Sequence, residues 1–229
     1  MVQYEVLART FRIRCGNSCA TAFTIEESNI QYLVTAKHFF EEFGFPDTAS
    51  IQLLIDGQYK TLAVSVRYPS DTRIDIAVMK TTPYCEVSAK IENTVSSTGL
   101  AYGQDVYFLG YPYNYDRLLA TFPERRAPVP FVKKAVFSGM LNPSPSLLFL
   151  DGHNNPGFSG GPVCFKKASD KLFSIAGVIS GYHFEKSSVF DKQTDKEVPL
   201  YVKENTGILY ASDISFAIKI AKEWSICGA

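Results

Sequence analysis

DGHNNPGFSGGPVCF, residues 151–165, decides how the rest of the chain is read. Ser159 stands behind Pro156-Gly157-Phe158 and directly before Gly160-Gly161-Pro162. Apolar segments flank it on both sides, Leu147-Leu148-Phe149-Leu150 and Val163-Cys164-Phe165. A surface loop accounts for the glycines and prolines but not for apolar anchors at both ends. Glycines beside a serine let the backbone turn sharply and bring N–H groups close to a substrate carbonyl. Nucleophilic serine chemistry needs such donors, a base for the hydroxyl proton, and a third group to orient the base. Gly157 and Ser159 are the candidate donors.

A base candidate lies upstream in YLVTAKHFF, where His38 follows the β-type run of residues 32–35. Taken alone, it reads better as an ordinary histidine at a strand end. An orienting acid lies in RIDIAVMK. Asp75 directly precedes Ile76-Ala77-Val78 and is thereby anchored to the core, whereas Asp71 sits in a polar loop.

At 229 residues the chain can bury a sizeable core, as one large domain or two small ones. Its 46% hydrophobic and 20% charged residues are those of an ordinary globular protein. Lys plus Arg and Asp plus Glu balance at 23 each. The basic pairs Arg125-Arg126, Lys133-Lys134 and Lys166-Lys167 are scattered rather than gathered in a stripe. Nucleic acid is therefore not expected as a partner, since phosphate binding needs a concentrated positive face. No apolar run approaches the ~20 residues of a membrane span, so no membrane association is expected. Charges at Glu5, Arg9, Arg12 and Arg14 break up the start, which lacks a secretory core.

Five cysteines, at 15, 19, 85, 164 and 227, form no disulfide framework, and His38, His153 and His183 have no ligand spacing with them. The expectation is free buried thiols, no metal, no cofactor, and a reducing, cytoplasmic setting.

Short segments rich in β-branched and aromatic residues recur along the chain: residues 20–25, 31–36, 51–55, 62–66 and 74–80, then 105–110, 131–139, 147–150, 162–165, 173–180 and 207–211. They predict an all-β protein of antiparallel barrels or sandwiches. The expected division is an N-terminal barrel over residues 1–95, a turn-rich linker at 96–104, a second barrel over 105–211 and a C-terminal helix within 212–229. In that helix Ile214, Ala217, Ile218, Ala221 and Trp224 follow three-and-four spacing and pack on the core, with Ser212 or Asp213 as the cap. Residues 38–43 read as a single helical turn, and the polar, charge-mixed residues 185–199 as a long exposed hairpin tip.

Together the three site segments resemble the blocks of trypsin-like (chymotrypsin-fold) serine peptidases, and among these are most similar to the bacterial HtrA-like and related peptidases. Thr35-Ala36-Lys37-His38 matches T-A-x-H, Asp75-Ile76-Ala77-Val78 matches D-I-A-[LV], and Pro156 to Pro162 matches P-G-x-S-G-G-P. VYFLGYP at 106–112 and NNPG at 154–157 fit the HtrA-like pattern too. The resemblance implies two six-stranded antiparallel β-barrels with the catalytic groups between them. It makes Ser159 the nucleophile, His38 the general base and acid, Asp75 the group that holds the imidazole tautomer, and the Gly157 and Ser159 N–H groups the oxyanion hole. It also matches Ser180 to a serine whose hydroxyl supports the aspartate.

The implied activity is a serine endopeptidase acting on polypeptides. A catalytically silent barrel serving as a binding module is the alternative, and an esterase or other acyl transferase a weaker third. By the same resemblance His153, six residues before the nucleophile, lies at the base of the specificity pocket, with Ser180, Gly181 and Tyr182 as the opposite wall.

Departures from the pattern carry expectations of their own. Digestive members place an acid before the nucleophile to bind a newly cleaved N-terminus. Phe158 occupies that position here, so activation by terminus insertion is not expected. Phe39 stands where secreted relatives carry a cysteine, and no PDZ-like segment follows the second barrel. The bulk of Phe158, where HtrA-like relatives have asparagine, raises the question of whether the oxyanion hole is preformed. A free-standing peptidase needs some restraint, for which a regulating partner is one option, and no segment identifies it.

Overall fold

A computed structural model describes residues 2, 4–89, 94–113, 127–141, 147–167 and 170–226. Cys227 and the Arg125-Arg126 pair lie outside the described residues. A short helix, α1 (Tyr4–Ala8), precedes six strands: β1 (Thr10–Cys15), β2 (Ser18–Glu27), β3 (Ile30–Thr35), β4 (Thr48–Ile55), β5 (Gln58–Arg67) and β6 (Ala77–Thr81). They close antiparallel in the order β1-β2-β3-β6-β5-β4, with Ile13 opposite Leu53 sealing the barrel.

Strand alternation accounts for the barrel's interior. Phe11 and Ile13, Ala20 and Ala22, Leu33, Ile51 and Leu53, Val64 and Val66, Ala77 and Met79 all point inward. The intervening residues of β2, β3 and β6 are buried as well. Phe23, Ile25, Tyr32, Val34 and Val78 form a second cluster outside the barrel, against the C-terminal helix and the other half of the chain. Burial on both faces is why these three strands read as continuous apolar runs.

The second half comprises β7 (Thr94–Val95), β8 (Asp105–Gly110), β9 (Phe131–Leu141), β10 (Leu147–Asp151), β11 (Pro162–Phe165), β12 (Ser174–Phe190) and β13 (Glu197–Asp213). Their order is β11-β8-β9-β10-β13-β12-β7, and an additional β11–β12 pairing joins six of them into a ring. Val106, Phe108, Phe137, Leu148, Leu150, Phe158, Val163 and Leu209 are among the residues that fill it. Thr94–Val95, just before the expected linker, pairs parallel with Ser174 and Ile175 of β12. The architecture is the expected all-β pair of six-stranded antiparallel sheets with a C-terminal helix.

Helix α2 (Ser215–Ile226) is that helix. Asp213 Oδ1 accepts the Ser215 N–H at 2.8 Å, so Asp213 caps it. Ala217, Ala221 and Trp224 pack on Tyr32 and its neighbours, with the Trp224 and Tyr32 rings 5.8 Å apart and the Arg67 guanidinium 4.4 Å from the indole. The last helix in the sequence therefore binds the first barrel to the second. Among the described residues no helix is long and apolar enough to cross a membrane.

Residues 185–199 are the exposed end of a long hairpin, as expected, with the strands paired as far as Phe190 opposite Glu197 and a short turn between. One expectation needs correcting. Of the four described cysteines, all free, Cys15 and Cys164 are buried but Cys19 and Cys85 are exposed.

Candidate active site between the barrels

Asp75 and His38 meet because of a single register. Thr35, the last residue of β3, pairs with Ala77, the first of β6. The two residues before Ala77 and the three after Thr35 therefore leave from the same end of adjacent strands. His38 is the second residue of a 3-10 helix, Lys37–Phe43, whose Phe39 and Phe40 are buried, their rings 4.8 Å apart. Asp75 lies between the buried Ile74 and Ile76. Hydrophobic anchors thus fix both polar side chains from both sides.

Asp75 Oδ2 lies 2.7 Å from His38 Nδ1, and Oδ1 accepts the His38 backbone N–H at 2.9 Å. The His38 side chain is 42% exposed and the Asp75 side chain 23%. The hydrogen bond that His38 Nδ1–H donates to Asp75 raises the His38 pKa above its usual 6.5 and partial burial opposes this, while the charges of Asp75 and Glu41 add to the rise. Asp71, the other acid considered, is occupied elsewhere. It accepts bonds from Arg73 Nε at 3.0 Å and Nη2 at 2.7 Å, which hold its pKa down to about 2.

Ser159 reaches this corner through contacts between the two halves. Its carbonyl accepts the Thr21 N–H at 2.9 Å. A Cβ on Gly160 would lie 2.2 Å from the Thr21 carbonyl oxygen, 2.2 Å from Thr35 Oγ1 and 2.9 Å from the Ala36 nitrogen. Only glycine allows the serine loop to lie against the segment that leads into His38. Among the described residues no hydrogen bond joins Ser159 Oγ to the imidazole. Such bonds are often long or misaligned before substrate arrives.

The Gly157 peptide is fixed by its carbonyl, which accepts from Thr21 Oγ1 at 2.7 Å and from the Tyr111 N–H at 3.3 Å. Its φ of +103° and the 2.3 Å gap between a built Cβ and the Tyr111 carbonyl oxygen require glycine. Neither the Gly157 N–H nor the Ser159 N–H donates a hydrogen bond among the described residues. Phe158 leaves this arrangement undisturbed. Its side chain turns into the second ring, 1% exposed, with its centroid 5.1 Å from that of Phe108.

Thr21 is the residue that sequence reading missed. It ties Ser159, Gly157 and Tyr111 together, and its own carbonyl accepts from Thr35 Oγ1 at 2.8 Å. Its signal is nearly silent, since a threonine in a strand is commonplace.

Elsewhere the expected site residues are placed unevenly. His153 is exposed, Ser180 and Gly181 are half-buried, and Tyr182 is 37% exposed. The Ser180 hydroxyl does not support Asp75. It lies 3.0 Å from Ser212 Oγ and bonds the Val178 carbonyl at 3.4 Å. A break in the β12–β13 register between Ile179 and Gly181 falls on Ser180, and such bulges re-aim a side chain.

Comparison with known proteins gives a consistent picture of the family. The family model for a trypsin-like peptidase domain matches residues 20–170. No curated protein matches the chain. Among solved structures, an inactive-form mutant of Rv3671c from M. tuberculosis H37Rv superposes with a TM-score of 0.57 at 14% identity, over 95% of this chain and 87% of that one. The HtrA-type protease AlgW, with a tripeptide, gives 0.57 at 16% identity, over 95% of this chain but 60% of its own. Deg5 gives 0.57 at 17% identity, over 94% and 88%. At these identities the superpositions speak for the fold. The match over residues 20–170 covers more than half the chain, which therefore belongs to the trypsin-like peptidase family.

Proposed function

We propose that the chain is a serine endopeptidase that cleaves polypeptides through an acyl-enzyme. Ser159 Oγ attacks the peptide carbonyl carbon, and His38 takes the hydroxyl proton at Nε2. The tetrahedral oxyanion accepts hydrogen bonds from the Gly157 and Ser159 N–H groups. Collapse of the intermediate breaks the C–N bond, with the proton on Nε2 passing to the leaving amine. Water gives a proton to the same imidazole and attacks the ester carbon; the C–Oγ bond then breaks, the carboxylic acid product leaves, and the imidazolium returns its proton to Ser159 Oγ. Asp75 accepts the Nδ1–H bond, keeping Nε2 free of hydrogen in the resting state and stabilising the imidazolium as it forms.

The two-point hold of Asp75 on His38 carries this reading. A structural aspartate needs no second bond to the backbone of the residue whose ring it already holds. The unbonded N–H groups of Gly157 and Ser159 support it further, because buried or half-buried donors are normally paired. The odd, unpatterned cysteines support a reducing, cytoplasmic setting, which cell fractionation tests.

Fluorophosphonate labelling tests the activity whatever the natural substrate. Wild type should be labelled at Ser159 with loss of fluoride, and Ser159→Ala should not be. A wild type that stays unlabelled at neutral pH would favour the silent binding module.

A further inference from the structure

Lys133 and Lys134 are neighbours on β9 and, with the alternation of a strand, face opposite ways. Lys134 makes an ordinary surface ion pair with Asp105 at 2.8 Å. Lys133 reaches instead toward the loop that precedes Ser159. Its ammonium donates to the His153 carbonyl and to Asn155 Oδ1, the latter at 2.6 Å, and lies 5.6 Å from the centroid of the Phe158 ring. Among the described residues no carboxylate pairs with it. A half-buried ammonium given only neutral acceptors is an uncommon use of a lysine.

The loop it grips is also held from other strands and loops, by the Tyr113 N–H on the Pro156 carbonyl at 3.4 Å and by Thr21 Oγ1 on the Gly157 carbonyl at 2.7 Å. The Asn205 side chain bonds the Asn154 carbonyl at 3.0 Å, and the Asn155 side chain donates to the Tyr113 hydroxyl at 2.8 Å. The Asn155 carbonyl accepts the Phe158 N–H at 3.3 Å, closing the turn on which Gly157 sits. Asn155 therefore links the ammonium to the peptide that carries the free Gly157 N–H. Removing the cation would release the start of the loop at two points.

We infer that Lys133 is a positioning residue: its ammonium ties the loop of residues 153–157 to β9 and sets the direction of the Gly157 N–H. Its effect on catalysis rests on the peptidase reading above, whereas the tie itself does not. The oxyanion donors are thus held by a side chain of the same chain, in place before substrate binds.

The test is amide hydrogen exchange together with fluorophosphonate labelling in Lys133→Met and Lys133→Arg. Methionine keeps an unbranched apolar stem and removes the donors; arginine restores donors for both acceptors. In Lys133→Met, exchange across residues 154–158 should rise about tenfold or more, with β4 and β5 unchanged, and labelling should slow by about 10²-fold, the loss seen when an oxyanion donor is removed. Lys133→Arg should recover most of both. If Lys133→Met does not fold, Asn155→Ala removes one of the two acceptors, and the same local rise in exchange is expected.

Unchanged exchange across 154–158 would overturn the inference. A uniform rise over the whole molecule would overturn it too, by making Lys133 a general stabiliser. A local rise in a protein whose wild type is never labelled would uphold the tie and remove the peptidase reading instead.

Discussion

Asp75 holds His38 by both carboxylate oxygens, Oδ2 at the ring nitrogen and Oδ1 at the backbone N–H of the same residue. The backbone bond fixes where the imidazole starts, and the ring bond fixes which way it faces. A histidine half-exposed to solvent would otherwise sample several rotamers and both tautomers. The proposed chemistry needs one of each.

Asp75→Asn should therefore cost about 10⁴ in turnover, because an amide at this position favours the wrong tautomer. Asp71→Asn should leave turnover near wild type, since Asp71 is engaged with Arg73. Steady-state hydrolysis of a peptide substrate decides. The opposite ranking of the two variants would mean that the orienting acid has been chosen wrongly.

The raised His38 pKa gives activity and stability opposite dependences on pH. Turnover requires the neutral ring, so kcat/KM should rise with a midpoint above 6.5. The ion pair's contribution to stability is fully present below the unfolded pKa and is lost as pH rises through the folded value. Asp75→Asn should lower the midpoint of the residual activity. A rate that stays flat from about pH 5 to about pH 9, with chemistry limiting, would remove histidine as the base.

Gly160→Ala and Gly181→Ala separate position from pocket. A methyl group at Gly160 collides with Thr21, Thr35 and Ala36 at a φ of +80°, so the serine loop must withdraw from the His38 segment. Labelling should fall by at least about 10²-fold, the scale of a misplacement of about 1 Å. A methyl group at Gly181 meets no atom within 4 Å. Thermal stability and fluorophosphonate labelling should be unchanged there, with any effect confined to KM. Loss of fold in Gly181→Ala would contradict the open space around it.

Thiol chemistry should be separable from turnover. Cys164 is fully buried and burial raises its pKa well above that of a free thiol, so it presents little thiolate. Cys19 and Cys85 are exposed. Native iodoacetamide should modify these two, as peptide mass mapping would show, with activity retained. Inactivation that tracks modification of Cys164 would contradict this.

The fold was legible wherever a strand is buried on both faces. β2, β3 and β6 show this as continuous apolar runs. β1 was not legible, because Arg12 and Arg14 interrupt Phe11, Ile13 and Cys15, and only the fold reveals that Arg12 is buried at 2% exposure. At the site, His38, Asp75 and the serine loop could be read because each sits in a short distinctive string at a strand end. Thr21 and Lys133 could not. They act on residues 153–159 from other strands, and Thr21 bonds Gly157 from 136 positions away. Ser180 shows the reverse failure: its string fits the pattern, but a strand irregularity sends the hydroxyl to Ser212.

Specificity is expected to follow from the same corner of the molecule. The His153 carbonyl is taken by Lys133, while its ring is exposed and makes no hydrogen bond among the described residues. The proposed pocket base thus presents an imidazole able to donate to a carboxylate or amide, and the Lys133 ammonium is bonded to the backbone carbonyl of the same residue. A substrate Lys or Arg seated there should therefore be cleaved poorly, and Glu, Gln or a polar-tolerant aromatic better. A peptide library cleaved by wild type and His153→Ala checks this. Strong cleavage after Lys or Arg by wild type would overturn it. If His153→Ala improves cleavage after Lys and Arg, the ring is the discriminating group. If Lys and Arg remain poor and the profile is unchanged, discrimination belongs to Lys133 and His153 has a structural role.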